Sequence, residues 1–269
     1  MGERKSRLSS LKEKHPYCCF CGGTNPTETV EHAPPKVLFR DKKRQKGLEF
    51  PACKRCNNGT SALDQVAALI TLTMSGVDKN RYIRDRAYIS KIAQGVRNNS
   101  PEVFDLLGLN KREYGTFLHP QHGILNLLEL DPRLLTEWLS PWAAKIVAAL
   151  WYQHSGSCIR ERERISISWM TNASLLHSDA DIQIAKMLSG ADFLRQGSWE
   201  SSDQFFYKHE VNVHERIGAF LVGTHDSSAF LGCVYPAHVE GELGSIGVHD
   251  HIFSTSAETG VTLVESGEA

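Results

Sequence analysis

The sequence predicts an α+β protein in three parts, and three features of its patterning predict it. Residues 15–60 carry two Cys-x-x-Cys pairs in a stretch broken by Gly22-Gly23, Asn25-Pro26, Pro34-Pro35 and Gly47, with little periodic apolar pattern. From Ser61 onward, apolar residues recur every three to four positions, the period of a helix. After Gly156 the pattern becomes alternation, with Ile165, Ile167 and Trp169 set between serines, the period of a half-buried strand.

Taken in order, residues 1–14 read as a basic lead-in, partly helical or disordered. Residues 15–60 are short segments that cannot bury much surface, so a structural metal is the expected support. Leu63, Val66, Ala67, Leu69, Ile70 and Met74 form the stripe of the next helix. Further helices are expected over 79–97, 101–109 and 131–152. The last starts at Asp131-Pro132 and carries Leu134, Leu135, Trp138, Trp142, Ile146 and Leu150 on one face. Beyond it, Ile182–Leu194 reads as a helix. Phe205–Val213, Ala219–Gly223, Ala229–Val234 and Ile252–Thr255 read as strands between polar turns. The expected division is a metal-supported module at 1–75, a helical region at 76–155 and an α+β region at 156–269.

At 269 residues, 41% hydrophobic and 9% aromatic, the chain can build a substantial core. No apolar run reaches the roughly 18–20 residues that span a bilayer. The start, Met1-Gly2-Glu3-Arg4-Lys5, lacks the apolar stretch of a signal peptide. These features lead us to expect a cytoplasmic chain with no membrane partner. In that setting seven cysteines argue for metal ligation over disulfides. Cys158 and Cys233 stand alone and read as small buried apolar side chains.

The net charge of −1 hides an asymmetry. Residues 1–60 hold thirteen Lys/Arg against six Asp/Glu, and the remainder holds seventeen against twenty-five. Arg40, Lys42, Lys43, Arg44 and Lys46 lie between the Cys pairs, which favours a polyanionic substrate.

Cys18, Cys21, Cys53 and Cys56 have the spacing of a four-thiolate zinc site. Cys19-Phe20-Cys21 is too tight for a zinc knuckle, which selects Cys18 over Cys19. Four thiolates leave no open position for a water, so this Zn²⁺ is structural. Between the pairs stands Glu31-His32, and Asn57 follows the last cysteine. Phosphodiester hydrolysis needs a base for the attacking water and a cation for the charge growing on phosphate. A neutral imidazole suits the first need near pH 7. A carboxylate with an amide oxygen suits a hard ion such as Mg²⁺.

The runs Tyr17-Cys18-Cys19-Phe20-Cys21-Gly22-Gly23, Glu31-His32-Ala33-Pro34-Pro35-Lys36-Val37-Leu38-Phe39 and Phe50-Pro51-Ala52-Cys53-Lys54-Arg55-Cys56-Asn57 resemble the HNH endonucleases. These are the zinc-containing ββα-metal nucleases; the nearest kind is the HNN-like, stand-alone bacterial one. The likeness covers roughly residues 15–75. It implies an N-terminal zinc-bound ββα-metal (HNH) module with His32 as general base. Glu31 and Asn57 would be ligands of a catalytic Mg²⁺ or Mn²⁺, with Asn58 as the alternative if the helix is turned by one residue. Most members have Asp where this chain has Glu31. The family's middle asparagine, which orients the histidine, has no counterpart in Lys46-Gly47-Leu48-Glu49.

The implied activity is metal-dependent endonuclease cleavage of nucleic acid, with DNA ahead of RNA, and a bacterial anti-phage setting fits the family. Lys36, Arg40, Lys42, Lys43, Arg44, Lys46, Lys54 and Arg55 would hold the phosphate backbone without reading bases. The acidic remainder would shape access, or pair with a second copy or an activating protein. The competing reading is a non-catalytic zinc-ribbon adaptor for nucleic acid or protein. Trp138, Trp142 and Trp151 read as core residues rather than base-stacking platforms. His249-Asp250-His251 reads as an acidic exposed turn rather than a second metal site.

Overall fold

The structure, a computed structural model, describes residues 2–44, 46–73, 79–107, 114–119, 123–128, 131–170, 188, 192–193, 195–196, 199–200, 203–225, 228–239, 251–256 and 260–263. The basic lead-in forms helix α1 (Gly2–Lys14). Strands β1 (Thr29–His32) and β2 (Glu49–Ala52) pair antiparallel, with Thr29 opposite Ala52 and His32 opposite Glu49. Helix α2 (Lys54–Asn58) follows at once, then α3 (Ser61–Thr73), α4 (Lys79–Asn99) and α5 (Glu102–Leu106).

The expected helical middle is interrupted. Strands β3 (Tyr114–His119) and β4 (Gly123–Leu128) form a hairpin in register from Tyr114–Leu128 to His119–Gly123. Gly115, Pro120 and Gly123 break any helical period there, and Tyr, Thr, Phe and Ile favour a pleated surface. The helix expected over 131–152 is a π-helical stretch, Leu134–Leu139, running into α6 (Ser140–Ser155).

The remaining strands are β5 (Glu163–Met170), β6 (Asp192–Phe193), β7 (Arg195–Gln196), β8 (Trp199–Glu200), β9 (Phe205–Asn212), β10 (Ile217–Thr224), β11 (Ser228–Pro236), β12 (His251–Ser256) and β13 (Gly260–Leu263). Seven of them form one antiparallel sheet in the order β13-β12-β5-β11-β10-β9-β6, and β7 with β8 make a separate ribbon. Most of the helix expected over Ile182–Leu194 lies outside the described residues; at its end, Asp192–Phe193 is strand β6. His249 and Asp250 also lie outside them. The described architecture is α+β.

Helix α6 packs across this sheet. It buries Trp142, Ile146, Val147, Leu150 and Trp151, each worth about 1.5–3 kcal/mol on leaving water. Ala143, Ala144, Ala148 and Ala149 on the same helix keep the approach close. Gly232 on β11 completes the fit, since a Cβ there would run into the Val147 side chain. Trp142 meets Phe230 edge to face at 6.0 Å, and Trp169 Nε1 donates to Ser140 Oγ at 2.9 Å.

Phe20, Leu38, Phe39 and Phe50, from the cysteine-bearing segment, belong to the same contiguous core. That segment is also tied to the sheet by polar contacts. His225, just after β10, has its Nε2 2.6 Å from Leu38 O, and Cys158 Sγ lies 3.8 Å from Cys18 O. Cys158 is therefore half-buried against the first cysteine turn. Among the described residues no helix is long and apolar enough to cross a membrane.

Candidate functional site

The two Cys pairs meet. Cys18 and Cys21 come from the turn after α1, and Cys53 and Cys56 from the junction of β2 with α2. Their four sulfurs are buried and lie within 4.8 Å of one another. A tetrahedron of zinc–thiolate bonds has sulfur–sulfur edges of about 3.8 Å, so the group is able to hold a metal ion such as zinc. The strand register brings this about: Cys19 N donates to Pro51 O at 3.0 Å, which seats the first turn on β2.

Amide groups then reach the sulfurs. Phe20 N lies 3.4 Å from Cys18 Sγ, Asn25 Nδ2 lies 3.2 Å from Cys21 Sγ, and Cys56 N lies 3.5 Å from Cys53 Sγ. Four thiols this close cannot all ionise by themselves. Contact with Cys21 is the largest cause pushing Cys18 up to about 12, and contact with Cys18 and Cys21 drives Cys56 up. The same contacts hold Cys21 low. A divalent cation removes this conflict by taking all four as thiolates. Cys19 lies buried outside the set, and burial pushes its thiol up.

Neighbouring residues of a strand face opposite sides, and β1 shows it. Glu31 is 4% exposed, whereas the His32 side chain is 25% exposed. His32 Nε2 lies 3.6 Å from Oε1 of Glu49, its partner across the hairpin. Arg7 Nη1, on α1, lies 3.6 Å from that same oxygen.

Glu31 faces inward. Its Oε1 is 3.3 Å from Nζ of Lys145 on α6, and its Oε2 is buried without a hydrogen-bond partner. Lys145 is itself 4% exposed, donates to Thr60 Oγ1 and lies 5.6 Å from the Phe20 ring centroid. Burial raises Glu31 above the usual carboxylate range, with Lys145 opposing. Asp64, half-buried on α3, feels the same surroundings: burial, opposed by Lys145 and reinforced by Glu31, raises its carboxyl to about 7. One ammonium thus balances two carboxylates under the hairpin. Strand alternation thus turns Glu31 and His32 to opposite faces of β1.

Asn57 is half-buried and oriented by β1, with its Nδ2 donating to Thr29 Oγ1 at 2.8 Å and to Val30 O at 3.4 Å. Its amide oxygen is the atom able to meet a cation. Asn58 is exposed. Glu31 Oε2, buried without a donor, is the kind of oxygen that a hard divalent ion could take.

The expected phosphate contacts divide into two groups. Lys36, Lys42, Lys43, Lys46, Lys54 and Arg55 are exposed, with Lys43 3.8 Å from Asp41 and Lys54 3.7 Å from Glu28. Arg40 and Arg44 instead hold the β1–β2 loop. Arg40 pairs with Asp85 and with Asp203, each at 2.8 Å. Arg44 donates to Pro34 O and Leu48 O, and burial lowers it to about 10. The loop between needs such staples, since Asp41, Lys42 and Leu48 all have left-handed φ.

The sequence reading missed Glu49, Lys145, Asp64 and Arg7. Lys145 had a signal, a single charge inside the apolar run Ala143–Trp151. Glu49 had none without the register. No family model, no curated protein and no solved structure matches this chain.

Proposed function

We propose that this chain is a metal-dependent endonuclease of the HNH kind that hydrolyses phosphodiester bonds of nucleic acid, DNA first. The observation that supports it is the pairing of a solvent-reached His32 with Glu49 on a hairpin pinned through the four-cysteine group to α2 and Asn57. His32 takes a proton from the attacking water, and Glu49 stabilises the imidazolium that forms, the part the family's middle asparagine plays by orientation. The new bond joins water oxygen to phosphorus. The bond to the leaving sugar oxygen breaks, and that oxygen takes a proton from solvent. Asn57, with the free Oε2 of Glu31, would hold a Mg²⁺ or Mn²⁺, which would supply positive charge for the phosphate oxygens. The zinc group takes no part in the reaction and fixes geometry alone. Exposed Lys36, Lys42, Lys43, Lys46, Lys54 and Arg55 hold the backbone.

A second reading, the non-catalytic zinc-ribbon adaptor, draws on one observation: Glu31 already carries Lys145 on Oε1. The two part at His32. Zinc-loaded protein is incubated with plasmid, linear DNA and RNA under Mg²⁺, Mn²⁺ or EDTA, beside His32→Ala. The nuclease reading expects cation-dependent cleavage that falls at least about 100-fold in the variant, in line with the usual worth of a general base, at unchanged zinc content. Equal cleavage by both proteins, or none by the wild type, rejects it in favour of the adaptor.

A further inference from the structure

Helix α1 does more than lead in to the cysteine segment. It lies against β1 and brings Arg7 to the one carboxylate that also holds His32, with Arg7 Nη1 and His32 Nε2 both 3.6 Å from Glu49 Oε1. Arg7 keeps 46% of its side chain exposed. Arg40 and Arg44, in the loop that joins the two strands, are committed to that loop.

We propose that Arg7 binds the scissile phosphate beside His32, which makes α1 one wall of the substrate site. This inference rests on the phosphodiesterase reading above. A guanidinium offers five N–H donors in a planar fork that matches two non-bridging phosphate oxygens. The contact at 3.6 Å to Glu49 is long and open to water, so it holds Arg7 in place and yields to a phosphate. Once Arg7 turns to the phosphate, His32 keeps its place against Glu49 Oε1. The lysines of the β1–β2 loop give diffuse attraction, whereas Arg7 gives a contact next to the reacting phosphorus.

The test uses full-length, zinc-loaded protein with Arg7→Ala, Arg7→Lys and His32→Ala, and a short fluorescent DNA duplex with an RNA of the same sequence. Binding is read against salt in the His32→Ala background, where no cleavage intrudes. Loss of Arg7 is expected to reduce the slope of log affinity against log salt by about one, the share of one phosphate contact. Cleavage by Arg7→Ala is expected to fall roughly 100-fold, with part restored by Arg7→Lys, which keeps the charge and loses the fork. An unchanged slope overturns the assignment, as does full cleavage by Arg7→Ala where the wild type cleaves and His32→Ala does not. If the wild type cleaves nothing, the nuclease reading fails separately, and the salt slope still decides whether Arg7 touches phosphate. Response to the RNA alone moves the substrate class and keeps the residue.

Discussion

Replacing Lys145 by methionine removes the ammonium that pairs with Glu31 at 3.3 Å, and the cost follows from the chemistry of proton uptake. Breaking a buried pair by deleting one partner costs about 3–5 kcal/mol. Glu31 has an escape, because it can take up a proton. From its ordinary value of 4.5, staying neutral at pH 7 costs at most about 3.5 kcal/mol, at roughly 1.4 kcal/mol per pH unit. A loss of about 3 kcal/mol is therefore expected at pH 7, a drop in Tm of roughly 6–12 °C for a chain of this size. The sign is fixed by the direction of the shift. A carboxyl raised in the folded state is least costly below its unfolded value and most costly above its folded one. At pH 5 the same variant should therefore lie within about 1 kcal/mol of the wild type. Urea unfolding of zinc-loaded protein at pH 5 and pH 7 reads this directly, with the double variant Glu31→Gln/Lys145→Met as control. The double variant should regain most of the loss at pH 7, since a neutral amide replaces the stranded carboxylate. Equal losses at both pH values, or a double variant no better than the single, would refute the buried-pair account.

Asp64→Asn should act the opposite way. The carboxyl of Asp64 stands at about 7 instead of its ordinary 3.8, so the wild type loses stability as pH rises toward 7 and levels off above it. The asparagine variant should exceed the wild type by less than about 1 kcal/mol at pH 5 and by about 2 kcal/mol at pH 8, half the full linkage value because Asp64 is still reached by water; parallel unfolding curves across that range would reject the shift. Gly260→Ala combines a left-handed φ of 74° with a new Cβ 3.1 Å from Cys56 Sγ, and should cost about 1–3 kcal/mol while speeding zinc loss to a chromogenic chelator. Unchanged release kinetics would show that β13 does not bear on the metal group.

What could be read from the sequence depended on whether the signal was local. The cysteine spacing specified four ligands because each pair sits on its own turn. The stripe from Leu63 to Ile70 specified α3 because helical burial repeats within a few residues. Strands β9, β10 and β11 were readable for the same reason. Contacts that close over long separations were not. Arg40 looked like surface charge because its partners, Asp85, Asp203 and Gln204, come from distant parts of the chain. The His32–Glu49 pairing depends on a register set by a long irregular loop, which no local pattern encodes. Glu31 and His32 look like one functional unit on paper, and the pleat of the strand divides them. The hairpin at Tyr114–Leu128 lies inside the expected helical region 76–155 but between the helices expected there, and its alternation was too weak to announce a strand pair.

The approach of Gly260 to Cys56 Sγ has a bearing on how the protein comes to be made. A ribosome releases both cysteine pairs long before it reaches the strand that lies over them. An ion captured at that early stage would be covered when β13 docks on β12, and its departure would be eased by peeling that late-made strand away. Metal retention is then governed by the edge of the distant sheet as much as by the four sulfurs, and order of synthesis becomes order of assembly.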